Sequence, residues 1–544
     1  MAPAAALPQE ERQSLPPLGK RIKALLVWPE IPNSFWAFGG MLRLLSEKVV
    51  MPPLGLITVA ALCPAEWTLR LVDEGLENLN DDDLRWADLV MVGGMEVQKE
   101  GIRNVLARAR RLGRRTIVGG PYASSQPERM LALADHVVVG EPDEVFAEIA
   151  AALESGTAQR LYEITQKPDI TRTPIPRFDL LKLKNYATMA IQFSRGCPFQ
   201  CEFCDIIVLY GRKPRTKLPQ QVRAELDTLL RLGWMKQIFI VDDNFIGNHQ
   251  RALELCLELE KWQQAHGYPV IFYTEASMDL ARKTALIDAM VRANFFHVFL
   301  GIESPSREAL EETHKFQNLA CDPVSCIDTL YERGLWVTGG FIVGFDSDTE
   351  DIFDRQIEFI ERTAIPWALL NSLHAMPHTA LYARLQKEGR LLEEAVHTSG
   401  DANPSNFRTK LPPAVLLRGQ ARTLAAIYEP KTFYERAWRS MERWKVQKNQ
   451  RAARQPGAAG IVGIVFRSIW HQGIRSNYRG AYWKYAVSIV TRYARNPAKL
   501  WMAATLLIAG HHFIPYSREV VAKIQGEIER AESVPELVAV PVAE

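Results

Sequence analysis

Cysteine is scarce, with seven in 544 residues, too few for the disulfide framework that staples small secreted domains. A reducing, cytoplasmic compartment is expected. No stretch holds the roughly twenty consecutive apolar residues that cross a bilayer. Met1 to Pro17 is rich in Ala, Pro and polar residues and lacks the apolar run of a signal peptide; residues 1–18 read as a loose tail. A dominant charge is missing too, since 65 Lys and Arg face 63 Asp and Glu, so no global field draws the chain to nucleic acid. What is abundant is apolar side chain, 47% of the residues, enough for more than one core.

From Arg21 short apolar strand patterns alternate with helical ones. Strands are expected at Ala24 to Trp28, Thr68 to Val72, Leu89 to Val92, Thr116 to Val118 and Val137 to Val139. Nearly all-apolar strands separated by helices predict a parallel sheet covered on both faces, hence a doubly wound, Rossmann-like domain over 19–160. Ligands of such sheets sit beyond the carboxyl ends of the strands, where Gly93, Gly94, Gly119, Gly120, Gly140 and Glu141 fall. Three prolines between Lys167 and Pro176 read as a stiff linker, placed at 161–185. Six more strands, near Ala190, Gln237, Val270, Val298, Thr338 and Ala368, predict a partial (β/α)6 barrel over 186–390 with its site at the C-terminal strand ends. A helical, basic region is expected over 391–544.

Three of the seven cysteines stand together. Cys197, Cys201 and Cys204 form C-x3-C-x2-C, three thiolates where a four-iron cluster normally takes four, which leaves one iron open to a substrate or cofactor. A structural zinc would want a fourth Cys or His at ligand spacing, and none occurs between Cys204 and His249. Cys63 and Cys256 lie in apolar helical patterns and read as core. Cys321 and Cys326 have no later cysteine to complete a second cluster and read as structural.

The loop Ser194 to Asp205, with Arg195-Gly196 before the cysteines and Phe203 ahead of the last, resembles the cluster loop of radical S-adenosylmethionine (SAM) enzymes. The resemblance implies a [4Fe-4S] cluster on the three cysteines, SAM on the open iron, and a reducing donor such as flavodoxin or ferredoxin. It also implies SAM contacts from Asp242, Asp243, Glu275, Ser277, Glu303, Ser304, Gly340 and Gly344, since acids and hydroxyls suit ammonium and ribose groups. Helix capping is the alternative role for the strand-end acids. Arg195, Arg212, Lys213 and Arg215 surround the loop, either biasing its field or simply solvated. His374 and His378 flank the last strand end, with His378 a candidate proton donor and packing the alternative.

A Gly-Gly-Pro and Val-Gly-Glu domain ahead of such a loop resembles the cobalamin-binding domain of the cobalamin-dependent radical SAM enzymes. Cobalamin is therefore the second cofactor implied, held by Gly93, Gly94, Gly119, Gly120, Gly140 and Glu141; a nucleotide-binding or purely structural domain is the alternative. The first histidine of the chain is His136, so the D-x-H-x-x-G pattern whose histidine ligates cobalt is absent and cobalt without a histidine ligand is expected. Pro52-Pro-Leu-Gly-Leu56, Tyr210-Gly-Arg212, Ala375-Met-Pro-His378 and Ile427-Tyr-Glu-Pro430 resemble the branch of the hopanoid C-2 methyltransferases. That likeness implies methylation at an unactivated carbon of a lipid-like substrate. In the family a deoxyadenosyl radical abstracts hydrogen and methylcobalamin delivers the methyl group. Radical cyclisation or rearrangement without methyl transfer, and a non-catalytic iron-sulfur protein, are the competing readings.

Met441 to Leu500 carries twelve Lys and Arg against one acid, Glu442, interleaved with Trp444, Phe466, Trp470, Tyr478, Tyr482, Trp483, Tyr485 and Tyr493. Basic and aromatic residues together suit an anionic membrane surface, so contact peripheral to the inner membrane is expected, with the apolar stretch Leu500 to Gly510 lying in the interface. A helical subdomain with a solvated basic face and an RNA-binding surface are the alternatives.

Overall fold

The computed structural model describes residues 15–392, 404–448, 450–451 and 458–533. Residues 1–14 of the expected tail, and 393–403, 449, 452–457 and 534–544 of the expected helical region, lie outside the described residues. The rest of the tail is tied down: the Leu18 N–H donates to the Leu153 carbonyl at 3.2 Å and Arg115 donates to the Pro16 carbonyl at 2.7 Å.

Two compact units emerge, one built from residues up to Glu30 together with Gly55–Leu180, the other from Ile31–Leu54 together with Leu181 onward. In the first unit β1 (Lys23–Trp28), β2 (Thr68–Asp73), β3 (Leu89–Gly93), β4 (Arg115–Gly119), β5 (His136–Val139) and β6 (Leu161–Glu163) form one parallel sheet in the order β2-β1-β3-β4-β5-β6. Leu25 and Val27 of β1 join one core, Ala24 and Leu26 the other, as expected for a central strand buried on both faces. β1 is flanked by β2 and β3, so the strand order reverses there, and Trp28 and Gly93 border the switch point where such sheets hold ligands. β6 corrects the expected linker at 161–185, whose first residues extend this sheet.

In the second unit β7 (Thr188–Ile191) leads into a short antiparallel pair, β8 (Ser194–Arg195) and β9 (Arg215–Thr216). There follow β10 (Gln237–Ile240), β11 (Ile271–Ala276), β12 (Phe295–Glu303), β13 (Trp336–Val343) and β14 (Ala368–Ser372). These make a parallel sheet in the order β14-β13-β12-β11-β10-β7. β7 and β14 are its two edges, so the barrel is partial. Ile31–Leu54, expected within the first domain, belongs here instead. The Ala187 and Thr188 N–H groups donate to the carbonyls of Val49 and Val50 at 3.0 and 2.8 Å, and Phe38 packs on Trp367 with ring centroids 5.4 Å apart, just ahead of β14. One excursion thus reaches both edges of the open sheet, where unpaired strand groups need partners.

The C-terminal helices are Pro413–Ile427, Pro430–Arg443, Ala458–Ser468 running into a π-helical turn Ile469–Ile474, Arg479–Tyr493 and Pro497–Ser533. The expected interfacial stretch Leu500 to Gly510 lies inside the last of these and faces protein: Ala503, Leu506 and Ala509 are buried, and the helix packs on Pro413–Ile427, Pro430–Arg443 and Gly39–Leu45. Among the described residues no helix is long and apolar enough to cross a membrane. Cys256 is core, Cys63 is half-buried, and Cys321 and Cys326 are joined as a disulfide at the start of helix Pro323–Arg333.

Candidate active site at the ends of the barrel strands

The β8–β9 pair closes the neck of a loop that carries all three clustered cysteines. Gly196 has φ +91 and a Cβ there would stand 2.7 Å from the Gly211 carbonyl, so only glycine lets the two sides of the neck meet. The Cys197 N–H donates to that same carbonyl at 3.2 Å. Asp242 fixes the approach to the loop. It is fully buried, accepting from the Phe193 N–H at 2.8 Å and the Ser194 hydroxyl at 2.6 Å. Burial pushes its carboxyl up to about 6, against these hydrogen bonds. Asp242 therefore positions the loop.

Three side chains meet the loop, and two of them, Gln317 and Lys315, are absent from the expected site. Gln317 donates to Cys201 Sγ at 3.3 Å, and Asn244 to Cys197 Sγ at 3.7 Å and Ser277 Oγ at 3.3 Å. Lys315 forms a buried ion pair with Glu303 and lies 5.7 Å from the centroid of the Phe203 ring. Its ammonium is held above the usual lysine range by Glu303, Cys201 and Cys204, against the pull of burial. Burial pushes the Cys197 and Cys204 thiols up, so something must compensate for thiolates at these positions. Amide donors and a cation beside sulfur do so, and they are the outer partners that iron-sulfur ligands take. The donor set fits a cluster with three protein ligands. Among the described residues no three His, Cys, Asp or Glu converge on a single-ion position, and a cluster, whose irons each take one thiolate, does not require it.

The loop is also clamped from outside. Glu202 is buried and takes two hydrogen bonds from Arg384, at 2.7 and 3.1 Å, while Asp346 accepts from Arg384 at 2.9 Å and Arg390 at 2.6 Å. Burial opposes the charge on Asp346, yet Arg390 and Arg384 bring its carboxyl down to about 2. Bidentate guanidinium pairs of this kind fix geometry as well as charge.

Asp243, Glu275 and Glu303 form an acidic group. Burial first, then the Asp242 charge, pushes Asp243 up to about 7; burial, then Asp243 and Glu303, pushes Glu275 up to about 8. These three carboxyl groups lie with one lysine among them, and a further cation beside them would favour their charged forms. Glu303 sits in left-handed backbone, φ 65, a conformation that costs on the order of 1–3 kcal/mol in a non-glycine residue and gathers at functional sites. Gly301 makes room for it, since a Cβ there would fall 2.6 Å from Glu303 Oε1 and 2.8 Å from Lys315 Nζ. Ser277 is buried beside Asn244 and donates to Asp279.

The remaining expected contacts have local partners or lie at the surface. Ser304 is buried and its hydroxyl accepts from the Ser306 N–H at 3.1 Å. Gly340 leaves space for the Phe299 ring, 2.8 Å from where a Cβ would stand. Gly344, at φ +101, turns the chain so that its N–H and that of Phe345 reach Asp348 at 2.7 and 3.0 Å. His378 is exposed ahead of the cap of helix Ala380–Lys387. Arg195 is buried and donates to Gln192 at 2.8 Å, whereas Arg212 and Lys213 are exposed.

In the first unit the glycines at the strand ends lie against one another. Gly120, at φ +91, would bring a Cβ to 3.3 Å from the Gly94 N and O atoms, and the Tyr122 N–H donates to the Gly94 carbonyl at 3.2 Å. Gly140 is also left-handed and its N–H donates to Ser124 Oγ at 3.0 Å. A Cβ at Gly140 would collide with the Ile164 carbonyl. Glu141 is buried beside it. His136 is buried at the opposite end of β5, with Nδ1 2.7 Å from the Gln159 carbonyl, and burial lowers its basicity. Among the described residues of this unit His136 is the one histidine, and it stands at the other end of β5 from the Gly140 turn.

Residues 191–360 match the radical SAM superfamily, and residues 379–526 match a domain of unknown function, DUF4070. The chain is 41% identical to an uncharacterized methyltransferase of Synechocystis sp., over 93% of this chain and 94% of that protein. It is 33% identical to the hopanoid C-2 methylase of Rhodopseudomonas palustris, over 91% of this chain and 94% of that protein. In fold it is similar to the radical SAM methyltransferase TsrM of Kitasatospora setae, solved with cobalamin and a [4Fe-4S] cluster. That likeness has a TM-score of 0.60 at 14% identity and covers 88% of this chain and 100% of that one. A three-thiol loop at the mouth of a parallel partial barrel, matched over nearly full length by methyltransferases, makes this chain a member of the radical SAM methyltransferase family.

Proposed function

We propose that this enzyme is a cobalamin-dependent radical SAM methyltransferase acting at an unactivated carbon, with a hopanoid methylated at C-2 as its substrate. The observation that carries the reading is the cysteine loop with Asn244, Gln317 and Lys315 at its sulfurs and the Asp243, Glu275 and Glu303 carboxylates beside it. When bound, the cluster supplies the electron that cleaves SAM, and cobalamin supplies a carrier for the methyl group. Cys197, Cys201 and Cys204 hold the cluster. Asp243, Glu275 and Glu303 face the positive charges of SAM, with Ser277 near them. In the first unit Gly93, Gly94, Gly119, Gly120, Gly140 and Glu141 would border cobalamin, the glycines through bare backbone.

The substrate reading rests on the 33% identical relative and on aromatic rings along the strands of the second sheet. Phe239 and Tyr273, paired across β10 and β11, stack at 4.6 Å, and Trp36 of the excursion lies 4.8 Å from Phe299. Rings of this kind suit a rigid hydrocarbon with few polar groups. A carbon without an acidic proton needs hydrogen abstraction and not a base, which agrees with an interior whose raised acids face a cofactor. A low-potential donor such as flavodoxin or ferredoxin would reduce the cluster in the cytoplasm.

The test is a reduced anaerobic reaction of the reconstituted protein with deuterated-methyl SAM and a hopanoid extract, read by mass spectrometry. Labelled 2-methylhopanoid with 5′-deoxyadenosine is expected. Deoxyadenosine without labelled lipid would remove the hopanoid and keep the radical chemistry. Cys201→Ala is expected to lose iron absorbance and both products to background.

A further inference from the structure

The helical hairpin Ala458–Tyr493 leaves large apolar side chains on its outer face. Its protein-facing side buries Tyr482, Tyr485, Ile489 and Tyr493 around polar groups: Gln472 is fully buried, donating to Ser468 Oγ at 3.2 Å and the Leu507 carbonyl at 3.1 Å. Gln472 also accepts from the Tyr434 hydroxyl at 3.1 Å, and Ser468 and Tyr482 hydroxyls meet at 3.1 Å. Its outer side is apolar. Val462, Val465, Phe466, Trp470 and Ile474 follow one another at helical spacing, with Val462 and Phe466 each 67% exposed. Trp483, Val487 and Val490 make the matching stripe on Arg479–Tyr493, the two valines 58% exposed. Trp483 joins the stripes: its indole N–H donates to the Gly473 carbonyl at 3.0 Å, and its ring fills the space a Cβ of Gly473 would need.

A helix in water places apolar residues inward and polar ones outward, and contiguous exposed apolar surface of this kind marks an interaction site. What covers it follows from charge. No Asp or Glu occurs from Arg443 to Arg518, and Arg475, Arg479 and Lys484 are exposed around the apolar stripes. A second copy would set the same basic face against itself, because a two-fold interface pairs a patch with its own image. An anionic bilayer satisfies both the apolar stripe and the basic rim. We infer that this hairpin inserts the Phe466, Trp470 and Trp483 side into the headgroup boundary of an anionic membrane, holding the enzyme on the surface. The surface differs from the one expected from sequence: Trp444, Tyr478, Tyr482, Tyr485 and Tyr493 are buried.

The test floats the full chain with vesicles of phosphatidylcholine alone and of phosphatidylcholine with one-third phosphatidylglycerol. Flotation with the anionic vesicles and little with the neutral ones is expected. Phe466→Ser with Trp470→Ser should cut the bound fraction about tenfold or more, and Arg475→Gln with Arg479→Gln roughly fivefold or more while flattening the lipid preference. Far-UV circular dichroism monitors folding. Should the serine variant unfold, quenching of wild-type tryptophan fluorescence by brominated acyl chains reads the same contact. Absence of both flotation and quenching would overturn the inference. So would flotation unchanged in the folded serine variant, or a dimer that binds no vesicle and dissociates in that variant. No cofactor or methyl acceptor enters this assay, so its failure leaves the proposed methyl transfer standing.

Discussion

The two units build the same device, a six-stranded parallel sheet with its reactive edge at the carboxyl strand ends, and finish it in opposite ways. In the first, the ends of β3, β4 and β5 carry Gly94, Gly120 and Gly140, and the chain presents bare backbone. In the second, the strand ends carry Asp243, Glu275 and Glu303 beside a loop of thiols. Topology places both sets of strand tips, and under the proposed function the residues there select the ligand. Bare backbone accepts a broad, flat cofactor by close approach; converging charges hold a small charged one.

That contrast breaks most sharply at Lys315. Lys315→Met leaves the Glu303 carboxylate buried without its partner, and loss of one member of a buried pair costs about 3–5 kcal/mol. Urea unfolding should show that loss in the barrel transition, with the first unit's transition unmoved and Glu303→Gln added to Lys315→Met recovering much of it. A loss below about 1 kcal/mol would mean that the pair is solvated.

The first unit should fail differently. Gly120→Ala strains left-handed backbone and presses on Gly94, costing about 1–3 kcal/mol. Cobalamin absorbance should not survive gel filtration, while SAM affinity, measured by calorimetry on the same preparation, stays within about twofold of wild type. Equal losses of both would mean that the two sites act as one.

The smallest effect is electrostatic. Asp243 and Glu275 are raised to about 7 and about 8, so they acquire charge as pH rises through that window, and SAM should bind severalfold tighter at about pH 8 than at about pH 6. The sign for stability is the reverse. A carboxyl whose folded pKa lies above its ordinary value favours the fold at low pH, and that contribution fades as pH climbs from about 4 through the folded pKa. Ligand-free barrel should therefore melt lower at about pH 8, and SAM should narrow the difference. A flat pH profile of both quantities would show the acids to be solvated.

Much of the fold was legible because it is local. Runs such as Ala24 to Trp28 and Leu89 to Val92 are continuous apolar strands that end at punctuating residues, and they reappear as β1 and β3. β6, Leu-Tyr-Glu, has no such run and pairs only because β5 offers an edge. The C-x3-C-x2-C spacing is equally local, so the loop could be read directly. Gln317 and Arg384 could not, since they stand 116 and 182 residues beyond the loop residues they touch, and no periodicity reports such a meeting. The hold of Asp242 on the neighbouring loop could not be read either, because a strand-end acid looks the same in sequence whether it faces a ligand or a loop.

The basic, aromatic C-terminal segment shows the division most plainly. Composition alone indicated an amphipathic surface, but which of its aromatics point outward depends on how Gln472 and Ser468 are bonded from within. The chain by itself determined the strand rhythm, the cluster spacing and the absence of a cobalt-ligating histidine motif, because each is written in neighbouring residues. Only the tertiary structure decided that Ile31–Leu54 joins the barrel, that Lys315 neutralises Glu303 and that the hairpin is apolar outside. Those depend on contacts between distant segments, whose energies exist only once the chain has closed upon itself.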